Sequence, residues 1–114
     1  MSIMHQPPSR HSKEWLSIFQ AYVEEHLHRT DLTTDDIAKY MNYSTRQLYR
    51  RVKAMTGKSP KNILREARLE RAYQFLKEGK YPTVALTASA VGFKDTVYFA
   101  QEFQKKYGVR PSKI

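Results

Sequence analysis

Ser44-Thr-Arg-Gln-Leu-Tyr-Arg-Arg-Val-Lys-Ala-Met-Thr-Gly57 is the stretch that decides the fold. Its first four residues make a capping box, in which the Ser44 oxygen and the Gln47 side chain each satisfy a backbone N–H that the first helical turn leaves open. Gly57 supplies the left-handed residue on which helices commonly stop. At about 100° per residue, Leu48, Val52 and Met55 define the buried side, which leaves Arg46, Tyr49, Arg50 and Lys53 together on the opposite face. Just upstream, Thr33 to Asp36 reads as a cap followed by acids in the first turn. Ile37, Ala38 and Met41 then give a short apolar face that stops at Asn42, a residue tolerant of left-handed backbone. Helix, tight turn and helix follow one another.

The pattern returns downstream. Ser44 and Asp95, Leu48 and Phe99, Val52 and Phe103, Gly57 and Gly108, and Pro60 and Pro111 are each separated by 51 residues. Ahead of the caps the offset falls to 50, pairing Ala38 with Ala88 and Met41 with Val91, so the second copy has one extra turn residue. Between the copies, Ser59-Pro60 is a cap with a first-turn proline, and Ile63, Leu64, Ala67, Ala72, Phe75 and Leu76 keep a helical period up to Gly79. Before the first copy, Trp15, Phe19, Tyr22, Val23 and Leu27 predict an amphipathic helix over 13–28 with Ser12 as its N-cap. The expected fold is all-α: two tandem, homeodomain-like three-helix units carrying helix-turn-helix motifs, joined by a long linker helix. The divisions are a flexible leader at 1–12, the first unit at 13–58, the linker at 59–79 and the second unit at 80–114.

Composition narrows the function. The 114 residues carry 20 Lys and Arg against 11 Asp and Glu, a formal charge of +9, and no cysteine. A disulfide scaffold and a thiolate zinc site are excluded, and a polyanion is the favoured partner. The longest uncharged run, the 13 residues Tyr81 to Phe93, falls short of the roughly 20 apolar residues of a membrane span, so no membrane partner is expected. The opening residues have no apolar block of signal-peptide length, which makes a cytoplasmic location the expectation. His5, His11, His26 and His28 are the only imidazoles, and His26 and His28 diverge on a helix, so neither a metal nor another cofactor is expected. Ser44 and Ser59 are accounted for as caps, no glycine-rich phosphate loop exists and no carboxylate pair has a plausible partner, so no catalysis is expected.

The charge is also segregated. From Ser44 to Arg71 there are nine basic residues (Arg46, Arg50, Arg51, Lys53, Lys58, Lys61, Arg65, Arg68 and Arg71) against Glu66 and Glu70, a local excess of +7. Six of the 11 acids lie before residue 37. A helix about 10 to 12 Å across fits the major groove, where arginine pairs with guanine and an aromatic or small apolar group meets a thymine methyl. The equivalent face of the second copy, Val97, Ala100, Gln101 and Gln104, is uncharged, so the two copies read different sequences. A helical adaptor whose basic face docks an acidic protein partner is the alternative reading.

These residues resemble the AraC/XylS family of bacterial transcription regulators over roughly residues 13–113. The resemblance rests on Ile37-Ala38, the Ser44, Leu48, Arg50 and Val52 spacing, Thr56-Gly57-Lys58-Ser59-Pro60 and Arg68-Leu69 with Ala72. In the second half it rests on Val91-Gly92-Phe93, Tyr98-Phe99 with Phe103, and Tyr107-Gly108-Val109-Arg110-Pro111. It implies a transcription regulator that places the helices beginning at Ser44 and Asp95 in successive major grooves of double-stranded DNA. Base reading would fall to Arg46, Tyr49 and Arg50 in the first and to Thr96, Val97, Ala100 and Gln101 in the second. Ser44, Lys53, Lys58, Lys61, Arg65, Lys94, Gln104 and Lys105 are the expected phosphate contacts. RNA polymerase is a further implied partner, and the chain is expected to bind as a monomer unless it is part of a larger dimeric regulator.

The chain departs from the family pattern in places. Thr87 stands where an apolar core residue is usual and Leu86 where a polar one is, so an irregular register or loose packing is expected there. Gln101 stands where arginine is common. Arg110 replaces the usual cap serine, so a terminal helix after Pro111 is expected to be frayed or missing. A linker helix of 18 residues would be about 27 Å long, close to the roughly 34 Å rise of one DNA turn. The predicted site is therefore two unequal, non-palindromic boxes about 10 to 10.5 base pairs apart, centre to centre. In a footprinting titration, base changes in the box read by the helix from Ser44 should cost more than changes in the other box. Equal sensitivity, or a palindromic footprint bound by two chains, would contradict the asymmetry.

Overall fold

Capping residues set most of the helix boundaries in the computed structural model, which describes residues 10–114. The order is α1 (Arg10–His26), α2 (Thr34–Tyr40), α3 (Thr45–Thr56), α4 (Pro60–Glu78), α5 (Val84–Ala90), α6 (Thr96–Tyr107) and a 3-10 turn (Pro111–Lys113). At α3 the Ser44 hydroxyl accepts from the Gln47 N–H at 3.1 Å and the Gln47 side chain accepts from the Ser44 N–H at 2.9 Å. A reciprocal box of Thr33 and Asp36 opens α2. There the Thr33 backbone and hydroxyl hold the Asp36 carboxyl below the usual carboxylate range. Ser59, Thr83 and Asp95 cap α4, α5 and α6 through their side chains.

The repeat is exact in its boundaries. α2 and α5 start 50 residues apart, and α3 and α6 start and end 51 apart. Asn42 and Gly92 hold the same left-handed turn position, with φ of 61° and 95°, and Lys94 is the inserted residue before the second cap. Leu48 and Val52 are fully buried in α3, as are Phe99 and Phe103 in α6. Phe19, Val23, Leu27 and Ile37 complete the first core, while Leu69, Ala72, Ala88 and Val91 complete the second. α4 lends one side to each, which makes the two cores continuous. Burying each large apolar side chain is worth about 1.5 to 3 kcal/mol.

Three expectations need correction. α1 begins at Arg10, so Ser12 lies inside the helix rather than capping it, and residues 10–12 of the expected leader are helical. Residues 10–14, Arg-His-Ser-Lys-Glu, contain neither glycine nor proline, so no helix breaker stops α1 before Trp15. The remainder of the leader falls outside the described residues. α1 also ends at His26, two residues early. Second, the register of α5 is regular. Thr87 is fully buried and its hydroxyl donates to the Thr83 carbonyl at 3.1 Å, so the polar atom that departs from the core pattern is satisfied within its own helix, while Leu86 faces outward. Third, a 3-10 turn forms at Pro111–Lys113. Arg110 makes no side-chain cap, yet Pro111 is buried and Lys113 N–H bonds the Arg110 carbonyl at 3.0 Å.

One contact joins α1, α4 and the second unit. The half-buried Arg68 guanidinium, on α4, donates to the carbonyls of Leu27 at 2.8 Å and Arg29 at 2.6 Å, just beyond the end of α1. Gly92 closes over the same place, where a Cβ would collide with the Leu27 carbonyl oxygen and lie 2.7 Å from Arg68 Nε. Gly92 is therefore needed both for its φ and for its lack of a side chain. Gly57 needs only the first property, since a Cβ there meets open space. Gly57→Ala should cost about 1 to 2 kcal/mol. Gly92→Ala should cost about 3 kcal/mol or more, because strain and overpacking add. Urea unfolding followed by Trp15 fluorescence measures both; equal costs would contradict the close approach.

Candidate nucleic-acid interface

α3 presents its polar face to solvent because the other face is fixed on both flanks. Beneath it lie Leu48 and Val52. At its side Arg51 turns inward, with a guanidinium nitrogen 2.6 Å from the Tyr43 hydroxyl and its carbon 4.6 Å from the Trp15 ring centroid. That leaves Arg46, Tyr49, Arg50 and Lys53 exposed on one strip, the Tyr49 side at 49% exposure. None of the three cations has an ion-pair or hydrogen-bond partner among the described residues. Tyr49 also borders a groove of about 240 Å³ with Thr34, Thr45, Pro60 and Lys61. The strip offers guanidinium donors, an aromatic edge and a point charge, the mixture suited to base edges and phosphates together.

α6 presents different chemistry. Thr96, Val97, Gln101 and Gln104 are exposed and Ala100 is partly so. With Arg110 and Pro111, they line an open groove of about 460 Å³. Its only charge is Arg110. Amide side chains and small apolar groups can hydrogen-bond an adenine or meet a methyl, but they add little electrostatic attraction.

The nine cations between Ser44 and Arg71 divide into two sets. Arg51 packs on Trp15, Arg68 holds the two carbonyls, and Arg71 pairs with Glu24 at 2.6 Å. Lys58 pairs with Glu66 at 2.8 Å, which pushes the lysine up and the Glu66 carboxyl down from their ordinary values. Arg65 lies 3.6 Å from Glu102, which also holds Lys105 at 3.1 Å. Only Arg46, Arg50, Lys53 and Lys61 remain without a protein partner among the described residues. The sequence-level excess of +7 thus overstates the free charge, because acids distant in sequence neutralise part of it.

The expected phosphate contacts are therefore placed unequally. Lys61, Arg65 and Lys94 share the rim of an open groove of about 630 Å³ between the units, with Thr34, Asp95 and Tyr98. Lys53 continues the α3 strip and Gln104 the α6 face. Lys58 lies in a separate groove with Glu24, Glu66 and Glu70. Ser44 already accepts one capping bond, leaving its hydroxyl proton free to donate. Thr34 and Tyr98 are not among the site residues that sequence reasoning points to. Their place on the groove depends on how the two units meet, for which no local pattern exists.

Among the described residues no group of three or more His, Cys, Asp or Glu side chains could hold a metal ion, and His26 packs at a tilt against Tyr22 with ring centroids 4.2 Å apart. No described helix is long and apolar enough to cross a membrane.

A helix-turn-helix domain model matches residues 37–114. The MmsAB operon regulatory protein of Pseudomonas aeruginosa is 34% identical over 105 residues, 92% of this chain and 34% of that protein. The Msm operon regulatory protein of Streptococcus mutans is 30% identical over 119 residues, 99% of this chain and 42% of that protein. The chain thus spans between a third and about two-fifths of these relatives. Among solved structures, the C-terminal domain of AraT, a response regulator from Geobacillus stearothermophilus, superposes with a TM-score of 0.82 at 28% identity, covering 92% of this chain and 85% of that one. The DNA-binding domain of AdpA, solved in complex with a target DNA, superposes with a TM-score of 0.79 at 28% identity, covering 86% of each chain. With two capped helix-turn-helix units, a shared linker helix and these relatives, the chain belongs to the AraC/XylS family of helix-turn-helix transcription regulators.

Proposed function

We propose that this chain binds double-stranded DNA sequence-specifically as the reading element of a transcription regulator, with α3 and α6 entering successive major grooves. The observation that carries it is the exposed strip of Arg46, Tyr49, Arg50 and Lys53, without partners among the described residues, on a helix whose other face is locked into the core. Arg46, Tyr49 and Arg50 read bases in the first box. Thr96, Val97, Ala100 and Gln101 read the second, mainly through methyl groups and shape. Lys53, Lys61 and Lys94 hold phosphates, helped by Ser44 and Gln104, while Lys58, Arg65 and Lys105 do so only in competition with their carboxylates. The long axis of 50 Å leaves room for two reading helices one DNA turn apart.

On this reading residues 13–58 and 80–114 act as the two reading units and 59–79 as the rigid spacer. The chain works in the cytoplasm, binds as a monomer unless it belongs to a larger dimeric regulator, contacts RNA polymerase at its promoters and performs no catalysis. Selection of bound sequences from a random duplex pool identifies the site. On it, Arg46→Ala should cost about 1 to 3 kcal/mol and relax the preference at one position. Lys53→Ala should weaken all duplexes alike and lower the salt slope by about 1. The reverse pattern would exchange the two roles. Identical affinity for every duplex would instead favour an adaptor that docks an acidic protein.

A further inference from the structure

Glu102 is the single acid of α6, and it sits on the side of that helix facing α4 with its side chain 14% exposed. One carboxylate oxygen is 3.6 Å from Arg65 Nε on α4, and the other is 3.1 Å from Lys105 Nζ one turn along α6. One anion is therefore shared by two cations on different helices, an arrangement resembling that of a phosphate between two basic side chains. Arg65 lies on the groove between the units with Lys61 and Lys94, both of which lack a protein partner among the described residues. Lys61 also borders the Tyr49 groove at the other end. A basic track thus runs from the α3 strip across the start of α4 to the start of α6, and Arg65 is the one cation on it that an acid occupies. Neither the local sequence pattern nor the base-reading assignment explains why a helix facing a polyanion should carry a carboxylate there.

We propose that Glu102 is a built-in counter-anion that competes with DNA phosphate for Arg65 and Lys105, and so sets how strongly the second unit grips the backbone. The inference rests on the DNA-binding reading. While Glu102 holds the two cations, they release few counterions on association. DNA affinity and its salt dependence then stay below what the count of basic residues implies. Affinity contributed by backbone contacts carries no sequence information, so withholding two of them raises the share of binding that depends on bases.

The experiment measures binding of the selected two-box duplex across a series of salt concentrations, with thermal unfolding of each variant alongside. Glu102→Gln keeps the shape and removes the charge. It should bind more tightly at low salt and steepen the slope of log affinity against log salt by about 1 to 2. Adding Arg65→Ala or Lys105→Ala to that variant should remove part of the gain. In the otherwise unaltered chain, Arg65→Ala should change the slope by well under 1, whereas Lys61→Ala should lower it by about 1. This second comparison does not depend on how well the Glu102 variant folds. An unchanged slope in Glu102→Gln, weaker binding accompanied by a lower melting temperature, or equal slopes for Arg65→Ala and Lys61→Ala would overturn the proposal and leave Glu102 as a brace between α6 and α4. An unaltered chain that bound no duplex would overturn the DNA-binding reading itself, and this inference with it.

Discussion

Two carbonyl oxygens just beyond the end of α1 and one guanidinium on α4 hold the molecule in its working shape. Arg68 is half-buried, and burial pushes its guanidinium below the ordinary value. An arginine stays charged there all the same, so a desolvated cation must be matched by good acceptors. The carbonyls of Leu27 and Arg29, just beyond the end of α1, supply them, and the Arg29 carbonyl also accepts from the Leu32 N–H at 3.3 Å. Gly92, the turn residue of the second unit, closes over the same carbonyl and the same guanidinium. First unit, linker and second unit meet at one point. A lost acceptor would leave a buried charge short of partners, and such a loss is expensive.

Around that point the surface ion pairs act in a consistent direction. Arg71 with Glu24 ties α1 to α4, Lys58 with Glu66 ties the turn after α3 to α4, and Lys106 with Glu70 ties α6 to α4. Each is at least partly exposed and worth little by itself, on the order of 0 to 1 kcal/mol. Together they spend basic residues on fixing the units to the linker and leave the α3 strip as the main concentration of unneutralised charge. The result is a division of labour within one basic sequence: some cations hold the helices together and others stay exposed on the α3 face.

Much of the fold was legible because its determinants are local. Caps such as Ser44, Ser59 and Asp95, the left-handed positions at Gly57 and Gly108, and the 51-residue repeat each involve neighbours a few residues apart, or a comparison of two such neighbourhoods. Ser12 misled because a residue able to cap does so only where the helix actually starts, and no helix breaker lies between Arg10 and Trp15. Thr87 looked out of place by composition, although its hydroxyl bonds within its own turn. The division of the basic residues was hidden from the sequence, since Arg68 and Arg71 find their partners 39 to 47 positions away. Arg50 and Arg51 are adjacent and chemically identical, yet only the helical phase, read against Trp15 and Tyr43, places one outside and the other in. Of the candidate site, the α3 strip was legible from that phase, whereas the groove shared by Lys61, Arg65 and Lys94 exists only once the units are docked.

A spacer series on the selected duplex tests most directly whether α3 and α6 are held at one fixed separation and phase. Inserting about 5 base pairs between the boxes turns the second box to the far side of the duplex, while inserting about 10 restores its phase but moves it one turn further away. A rigid linker predicts that both insertions reduce affinity to that of a single box, with no recovery at the full turn. Recovery at about 10 base pairs, or affinity indifferent to spacing, would mean that the units move independently and that the Arg68 junction does not set the geometry of binding.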